Sequence, residues 1–359
     1  MSSLDYTFAF GVAFLTTLAL TAVVIRLAKI LKIYDYPDSP RKIQARPIPK
    51  LGGLAVYSGF LLTVLAWIIF FPDAFGLFIK FNSLFGIFVG GLILAVGGYL
   101  DDKFALPPGN QIVFTVLAVL AVMVSGIQLS YINNPFGGAI LLDSLKVLGY
   151  PVFGGLFVFF WILGMIYTTK FLDGMDGLVS GIAGIGAVVL FFLSLVPEVN
   201  QPDTALLSLM FGGAILGFLP WNFFPAKIFL GESGSTFAGF MIGVLAVISG
   251  GKVATALLIM GIPILDTAWV ILRRIFYKYS PFEGDRKHLH FRLLDLGLSH
   301  RNTVLVLYFI SAGFGVSGLF LQSVAKLVAL AILFGVMILL GAFLVISYRK
   351  KNPDVESKN

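Results

Sequence analysis

Apolar residues in this chain come in long stretches, separated by short breaks where glycine, proline and charge gather. A helix needs roughly 20 residues to cross a hydrocarbon core, with about 17–25 as the working range. Eleven stretches meet that length, near residues 7–28, 51–71, 83–100, 110–129, 152–168, 175–196, 204–219, 234–250, 253–272, 302–322 and 325–347. The pattern predicts an all-α polytopic membrane protein with one domain over residues 1–359 and no internal repeat. Only Gly250, Gly251 and Lys252 divide the eighth stretch from the ninth. Residues 130–150, with Asn133-Asn134-Pro135-Phe136-Gly137-Gly138, read as a hairpin or irregular loop. The first stretch lacks a basic lead-in and a small-residue cleavage site, so a retained span is expected.

Composition agrees with the pattern. The chain is 58% hydrophobic and 12% charged, with mean hydropathy +0.97; soluble domains average roughly 25% charged. The absence of cysteine excludes disulfides and thiolate chemistry, and with three histidines it argues against a structural zinc site. A net charge of +7 would suit nucleic acid in a soluble chain. Here the sidedness of the charge matters more, and no nucleic-acid partner is expected. Placing the N-terminus outside leaves only Lys80, Lys146, Lys252 and Lys326 on outer loops, with the other 21 of 25 Lys and Arg inside. An even number of spans would break that partition. The expected topology is therefore N-terminus outside, a cytoplasmic tail over 349–359, and a long cytoplasmic loop over 273–301.

The same topology sorts the unusual residues. Asp101, Asp102, Asp173, Asp176, Glu232, His288 and His290 fall on the cytoplasmic side, from four separate loops. An ionisable group beside the hydrocarbon is costly and by default marks a functional site. In Asp173-Gly174-Met175-Asp176-Gly177, the i, i+3 spacing puts both carboxylates on one face of a helix. Hard oxygen ligands of this kind suit Mg²⁺, which takes one or two carboxylates plus substrate phosphates. The competing reading is that they only cap a helix. Asp101 and Asp102 point about 100° apart on a helix, so the two need not share a ligand. Lys50, beside Gly52 and Gly53, suits a lipid or nucleotide phosphate or else serves topology alone. Phe229 fits a nucleobase contact or an interfacial aromatic belt. Asp266 sits inside the ninth stretch, where it either joins the site or bonds a neighbouring helix. Arg286, Lys287, His288, His290 and Arg292 cluster as a diphosphate would require, and Leu293-Leu294, Leu296 and Leu298 suggest a short amphipathic helix.

Pro49-Lys50-Leu51-Gly52-Gly53, Asp101-Asp102, Asp173-Gly174-Met175-Asp176-Gly177-Leu178, Phe229-Leu230-Gly231-Glu232-Ser233-Gly234-Ser235 and His288-Leu289-His290 occur in that order. With these motifs the chain resembles the polyprenyl-phosphate N-acetylhexosamine-1-phosphate transferases of glycosyltransferase family 4. The His288-Leu289-His290 form resembles the GlcNAc-1-phosphate branch more than the phospho-MurNAc-pentapeptide branch. The family pattern has Asn where Lys170 stands, Asp where Glu232 stands, and often a further His at Phe291.

The resemblance implies transfer of an N-acetylhexosamine 1-phosphate, foremost GlcNAc-1-phosphate, from a UDP-sugar to polyprenyl phosphate with release of UMP. It implies Mg²⁺ as cofactor, with Mn²⁺ as a substitute, held by Glu232 and Asp173. Asp101 or Asp102 would deprotonate or orient the lipid phosphate. Asp176 and Phe229 would hold the uridine, with Asn222 in the same element. His288, His290 and Arg286 would hold sugar and diphosphate, and Lys50 and Lys170 phosphate. Direct displacement is favoured over a covalent aspartyl intermediate. A plasma-membrane location, a cytoplasmic active site and a homodimer follow from the same resemblance. The alternatives are a polyprenyl-lipid transporter and a non-catalytic UDP-sugar-binding member of the family.

Overall fold

The computed structural model describes residues 3–38, 44–147, 149–249, 253–279 and 288–351. Among them, thirteen α-helices form a bundle: α1 (Ser3–Ile30), α2 (Gly52–Phe70), α3 (Phe81–Phe104), α4 (Pro108–Val124), α5 (Val152–Leu172), α6 (Leu178–Leu195), α7 (Pro202–Asn222), α8 (Gly231–Ile248), α9 (Val253–Ile259), α10 (Gly261–Phe276), α11 (Leu289–Asp295), α12 (His300–Phe320) and α13 (Ser323–Lys351). Three small antiparallel hairpins complete it. The strand β1 (Tyr34–Asp35) pairs with β2 (Ile48–Pro49), β3 (Tyr131–Asn133) with β4 (Ala139–Leu141), and β5 (Lys146–Val147) with β6 (Tyr150–Pro151). The last two fall in and just beyond the stretch 130–150, expected as a hairpin or irregular loop.

All eleven apolar stretches are helical, with two departures from the expected form. Among the described residues, nine helices are individually long and apolar enough to span. The ninth stretch is not one rod: α9 and α10 meet at a 78° bend at Met260. Pro263 in the first turn of α10 has no N–H to bond back across that break. The fourth stretch yields only the 17 residues of α4. Pro107 and Pro108 set its start, and Gly126, at φ +95°, turns the chain away just beyond its end.

Burial differs sharply between helices. The apolar window of α8 is 83% buried, whereas that of α13 is 11% buried. The helices α6, α7 and α8 form the centre, with α1, α12 and α13 outside them. Phe60, Phe211 and Phe237 meet edge-on or tilted at 5.9–6.3 Å in the fully buried core. One end of the bundle is closed by Asp203, a buried carboxylate on α7. It accepts hydrogen bonds from the backbone N–H of Phe78 and of Ile79, each at 2.7 Å. The opposite end is open.

Candidate functional site

The open end is a cavity of about 820 Å³. The ends of α3, α5 and α7, the starts of α8 and α12, and the β1–β2 hairpin surround it. It collects Lys50, Asp101, Asp102, Lys170, Asp173, Asp176, Asn222, Phe229, Glu232 and His288 from segments far apart in sequence. Two sequence-predicted residues stand apart from this set. Arg286 lies outside the described residues. His290 is fully buried behind the Gly174 backbone; a Cβ on that glycine would lie 2.5 Å from the ring Nε2.

Backbone contacts bring the Pro49–Gly53 and Phe229–Ser235 motifs together. Phe229 N donates to Pro49 O (2.9 Å), Gly52 N to Phe229 O (3.0 Å) and Gly53 N to Leu230 O (2.7 Å). This close approach needs glycine: a Cβ on Gly53 would sit 2.0 Å from Gly234 N, and one on Gly98 would sit 2.2 Å from Ser233 N. The start of α8 is thereby wedged between α2 and α3.

The adjacent aspartates then separate, as their 100° offset allows. Asp101 Oδ1 accepts from Leu106 N (2.9 Å) and Gln111 Nε2 (2.7 Å), so it closes the turn between α3 and α4. Asp102 points inward, its side chain 3% exposed. Its Oδ1 accepts from Glu232 N at 3.4 Å and lies 3.8 Å from Lys50 Nζ. Its Oδ2 is buried with no hydrogen-bond partner. A carboxylate at the N-terminus of α8 is favoured by the helix dipole. Lys50 also pairs with Asp35 at 3.3 Å. Burial alone would lower its pKa; Asp102, Asp35 and Asp101 outweigh that and raise it, so the ammonium stays charged.

The segment after α5 is held as a cradle. Gly177 takes φ +80° to start α6. The Asn222 side chain accepts from Gly177 N (3.1 Å) and Ser180 Oγ (2.8 Å) and donates to Ile228 O (3.1 Å). Asn222 thus braces the loop with its own amide. The Tyr308 hydroxyl donates to Gly177 O. Asp176 Oδ2 accepts from Ala226 N at 2.9 Å, and burial raises its pKa against that hydrogen bond and His300. Asp173 opens onto the cavity yet is ringed by protein. Loss of bulk solvation, then the negative Glu232, Asp102 and Asp176, push its pKa up to about 8.

Lys170 reaches across the cavity to Glu232 Oε1 at 2.5 Å and also donates to Gln111 Oε1. On the far wall the α9–α10 break carries Asp266 to His288. Asp266 Oδ2 lies 2.8 Å from His288 Nδ1, and Oδ1 accepts from Leu289 N at 2.9 Å. Asp266 therefore fixes a cavity residue through a helix-to-loop bond, which joins both readings of it. The expected short amphipathic helix is α11.

Asp35, Gln44, Arg46, Gln111 and His300 also line the wall, and none stands out individually in the sequence. His300 stacks on Phe224 at 4.3 Å and 20°, and both of its ring nitrogens are buried without a hydrogen-bond partner. Its only sequence signal is a polar run, Ser299-His300-Arg301-Asn302, just before an apolar stretch.

Comparison with known proteins decides the family. The profile described as glycosyl transferase family 4 matches residues 84–250. A "probable undecaprenyl-phosphate N-acetylglucosaminyl 1-phosphate transferase" of Bacillus subtilis (strain 168) is 33% identical, over 91% of this chain and 87% of its own length. The chain belongs to glycosyl transferase family 4. Other relatives in the family bracket it. An "undecaprenyl-phosphate alpha-N-acetylglucosaminyl 1-phosphate transferase" of Thermotoga maritima is 32% identical over 84% of this chain and 86% of its own length. A "phospho-N-acetylmuramoyl-pentapeptide-transferase" of Desulforudis audaxviator is 30% identical over 87% and 96%. The family profile takes in Asp101, Asp102, Lys170, Asp173, Asp176, Asn222, Phe229 and Glu232; Lys50, His288 and His300 reach the same cavity from outside it.

The donor set fits a divalent metal that arrives with phosphate. Among the described residues, no three His, Asp or Glu side chains converge closely enough to hold a metal alone. Mg²⁺ sites of the phosphate-bridging kind need only one or two carboxylates. Glu232 and Asp173 face the cavity, and the partnerless Asp102 Oδ2 beside them is a buried oxygen suited to a cation or a proton.

Proposed function

We propose that this protein transfers N-acetylglucosamine 1-phosphate from UDP-N-acetylglucosamine to polyprenyl phosphate, releasing UMP. The relatives' names support the transferred group and the acceptor. The observation that carries the chemistry is the single cavity where carboxylates from three helix ends and a loop face Lys50 and Lys170, at one end of an apolar bundle.

In this reading a lipid-phosphate oxygen attacks the phosphorus that bears the sugar. The bond from that phosphorus to the bridging oxygen breaks, and UMP leaves with that oxygen. Phosphoryl transfer of this kind is mostly positioning and electrostatics. A lipid phosphate with second pKa near 6 is mostly dianionic at pH 7, so Asp102 orients it and takes a proton only from the monoanion. Lys50, beside Asp102, attracts the incoming phosphate. Asp176, Phe229 and the Phe224–His300 stack hold the uridine, and His288, aimed by Asp266, holds sugar and diphosphate together with Arg286. Glu232 and Asp173 would hold Mg²⁺, or Mn²⁺ in its place, which would supply charge neutralisation for the diphosphate and the leaving group. The distribution of Lys and Arg supports a cytoplasmic site in the plasma membrane, with the N-terminus outside. The family resemblance adds a homodimer, which light scattering in detergent tests.

The test is UMP release by purified protein with undecaprenyl phosphate and a panel of UDP-sugars, with and without Mg²⁺. Metal-dependent release with UDP-N-acetylglucosamine is expected. Retained UDP-sugar binding with no release from any donor would overturn the transferase reading and leave a binding protein.

A further inference from the structure

Glu232, one of the two carboxylates assigned to the metal above, already has a cation. Lys170 Nζ lies 2.5 Å from Glu232 Oε1, with the two side chains only 17% and 16% exposed. The contact reaches from the last turn of α5 to the first turn of α8, 62 residues away, so local sequence does not produce it. Gln111 from α4 gives the same ammonium a second acceptor. The other cavity lysine is used differently: Lys50 sits on Asp35 and Asp102. Among the described residues Asp173 forms no ion pair, although it faces the same space. The cavity thus holds one carboxylate sealed by a lysine beside one left open.

A divalent ion on a carboxylate oxygen sits about 2.0–2.1 Å from it. An ammonium 2.5 Å from Glu232 Oε1 competes with such an ion for the same carboxylate, and the two positive charges repel at that range. Exchange of one for the other relieves the repulsion. The lysine has a flexible four-carbon stem and pairs readily with phosphate as a point charge.

Resting on the transferase reading above, we propose that Lys170 is a placeholder cation. It occupies Glu232 while the site is empty, and it moves onto the donor diphosphate when a divalent metal takes that carboxylate. Metal therefore binds the free protein weakly and binds well only together with the nucleotide-sugar. Lys170 acts here through Glu232 as a positioning residue, and its contact with phosphate comes only after the exchange.

The test is Mn²⁺ binding, read by electron paramagnetic resonance on the full-length protein in detergent, without lipid acceptor. Lys170→Gln is expected to tighten Mn²⁺ binding to the substrate-free protein by at least about tenfold, the scale of changes at residues that bond to metal ligands. Lys170→Arg keeps the cation and is expected to bind as weakly as wild type. In a Glu232→Gln background the Lys170→Gln gain should vanish. With UDP-N-acetylglucosamine added, the wild type should gain more Mn²⁺ affinity than Lys170→Gln does. Melting temperatures of the variants confirm that each is folded. Unchanged or weaker Mn²⁺ binding in Lys170→Gln overturns the proposal, as does an undiminished gain when Glu232 is absent, or no Mn²⁺ binding to any form. Because the readout is metal binding, a normal Mn²⁺ shift alongside absent UMP release would sink the transferase reading alone.

Discussion

Asp101 and Asp102 are neighbours with the same side chain and unlike surroundings. Asp101 spends its Oδ1 on Leu106 N and Gln111, whereas Asp102 leaves a buried oxygen without a partner. Asp102→Asn should lower kcat/KM by about 10²–10⁴-fold, the range for losing a positioned acid or base. Asp101→Asn keeps an acceptor oxygen for both donors and should cost much less. Equal losses in a UMP-release assay would reject the assignment. His290 makes a prediction about stability. Burial first, against a smaller pull from Asp266, lowers its pKa to about 3, well below the roughly 6.5 of an unfolded histidine. The unfolded chain therefore binds a proton that the folded protein refuses, so stability falls as pH drops from about 6.5 toward 3. His290→Leu should remove up to about 1.4 kcal/mol per pH unit of that slope. Melting curves in detergent at pH 7, 6 and 5 for both proteins would show it; parallel slopes would refute it.

At the scale of elements, the site depends on how closely α8 can enter between α2 and α3. A Cβ on Gly53 meets backbone, not a side chain that can rotate away. Gly53→Ala should destabilise by about 1–3 kcal/mol, as overpacking does. It should also lower kcat by shifting Glu232 away from Asp102. Normal stability and kcat in the variant would mean that the wedge is not tight. The helices themselves were plain in the sequence, because spanning length and apolarity are local properties. The 78° break at Met260 was not, because a proline in a first turn is compatible with a continued or a broken axis. Only the contact of Asp266 with His288 shows what the break positions.

The whole molecule has one closed end, tied by Asp203, and one open end that carries the charge. Its lack of cysteine makes the topology simple to test. Single cysteines at Lys80 and Lys146 should react with a membrane-impermeant maleimide on intact cells, and cysteines at Lys103 and Lys278 only after permeabilisation. The reverse labelling would invert the proposed orientation and place the cavity outside.

The sequence by itself determined the all-helical membrane fold, the approximate spans and most of the residues that meet in the cavity. Those follow from desolvation, which acts on each stretch or each charge wherever it lies. Pairing was decided only by tertiary structure. Lys170 finds Glu232, Asp266 finds His288, and Asn222 braces Gly177 across 62, 22 and 45 residues. His300 joins the wall by stacking on Phe224, 76 positions before it in the chain. Such contacts depend on the relative placement of rigid helices, which no local pattern of polarity records.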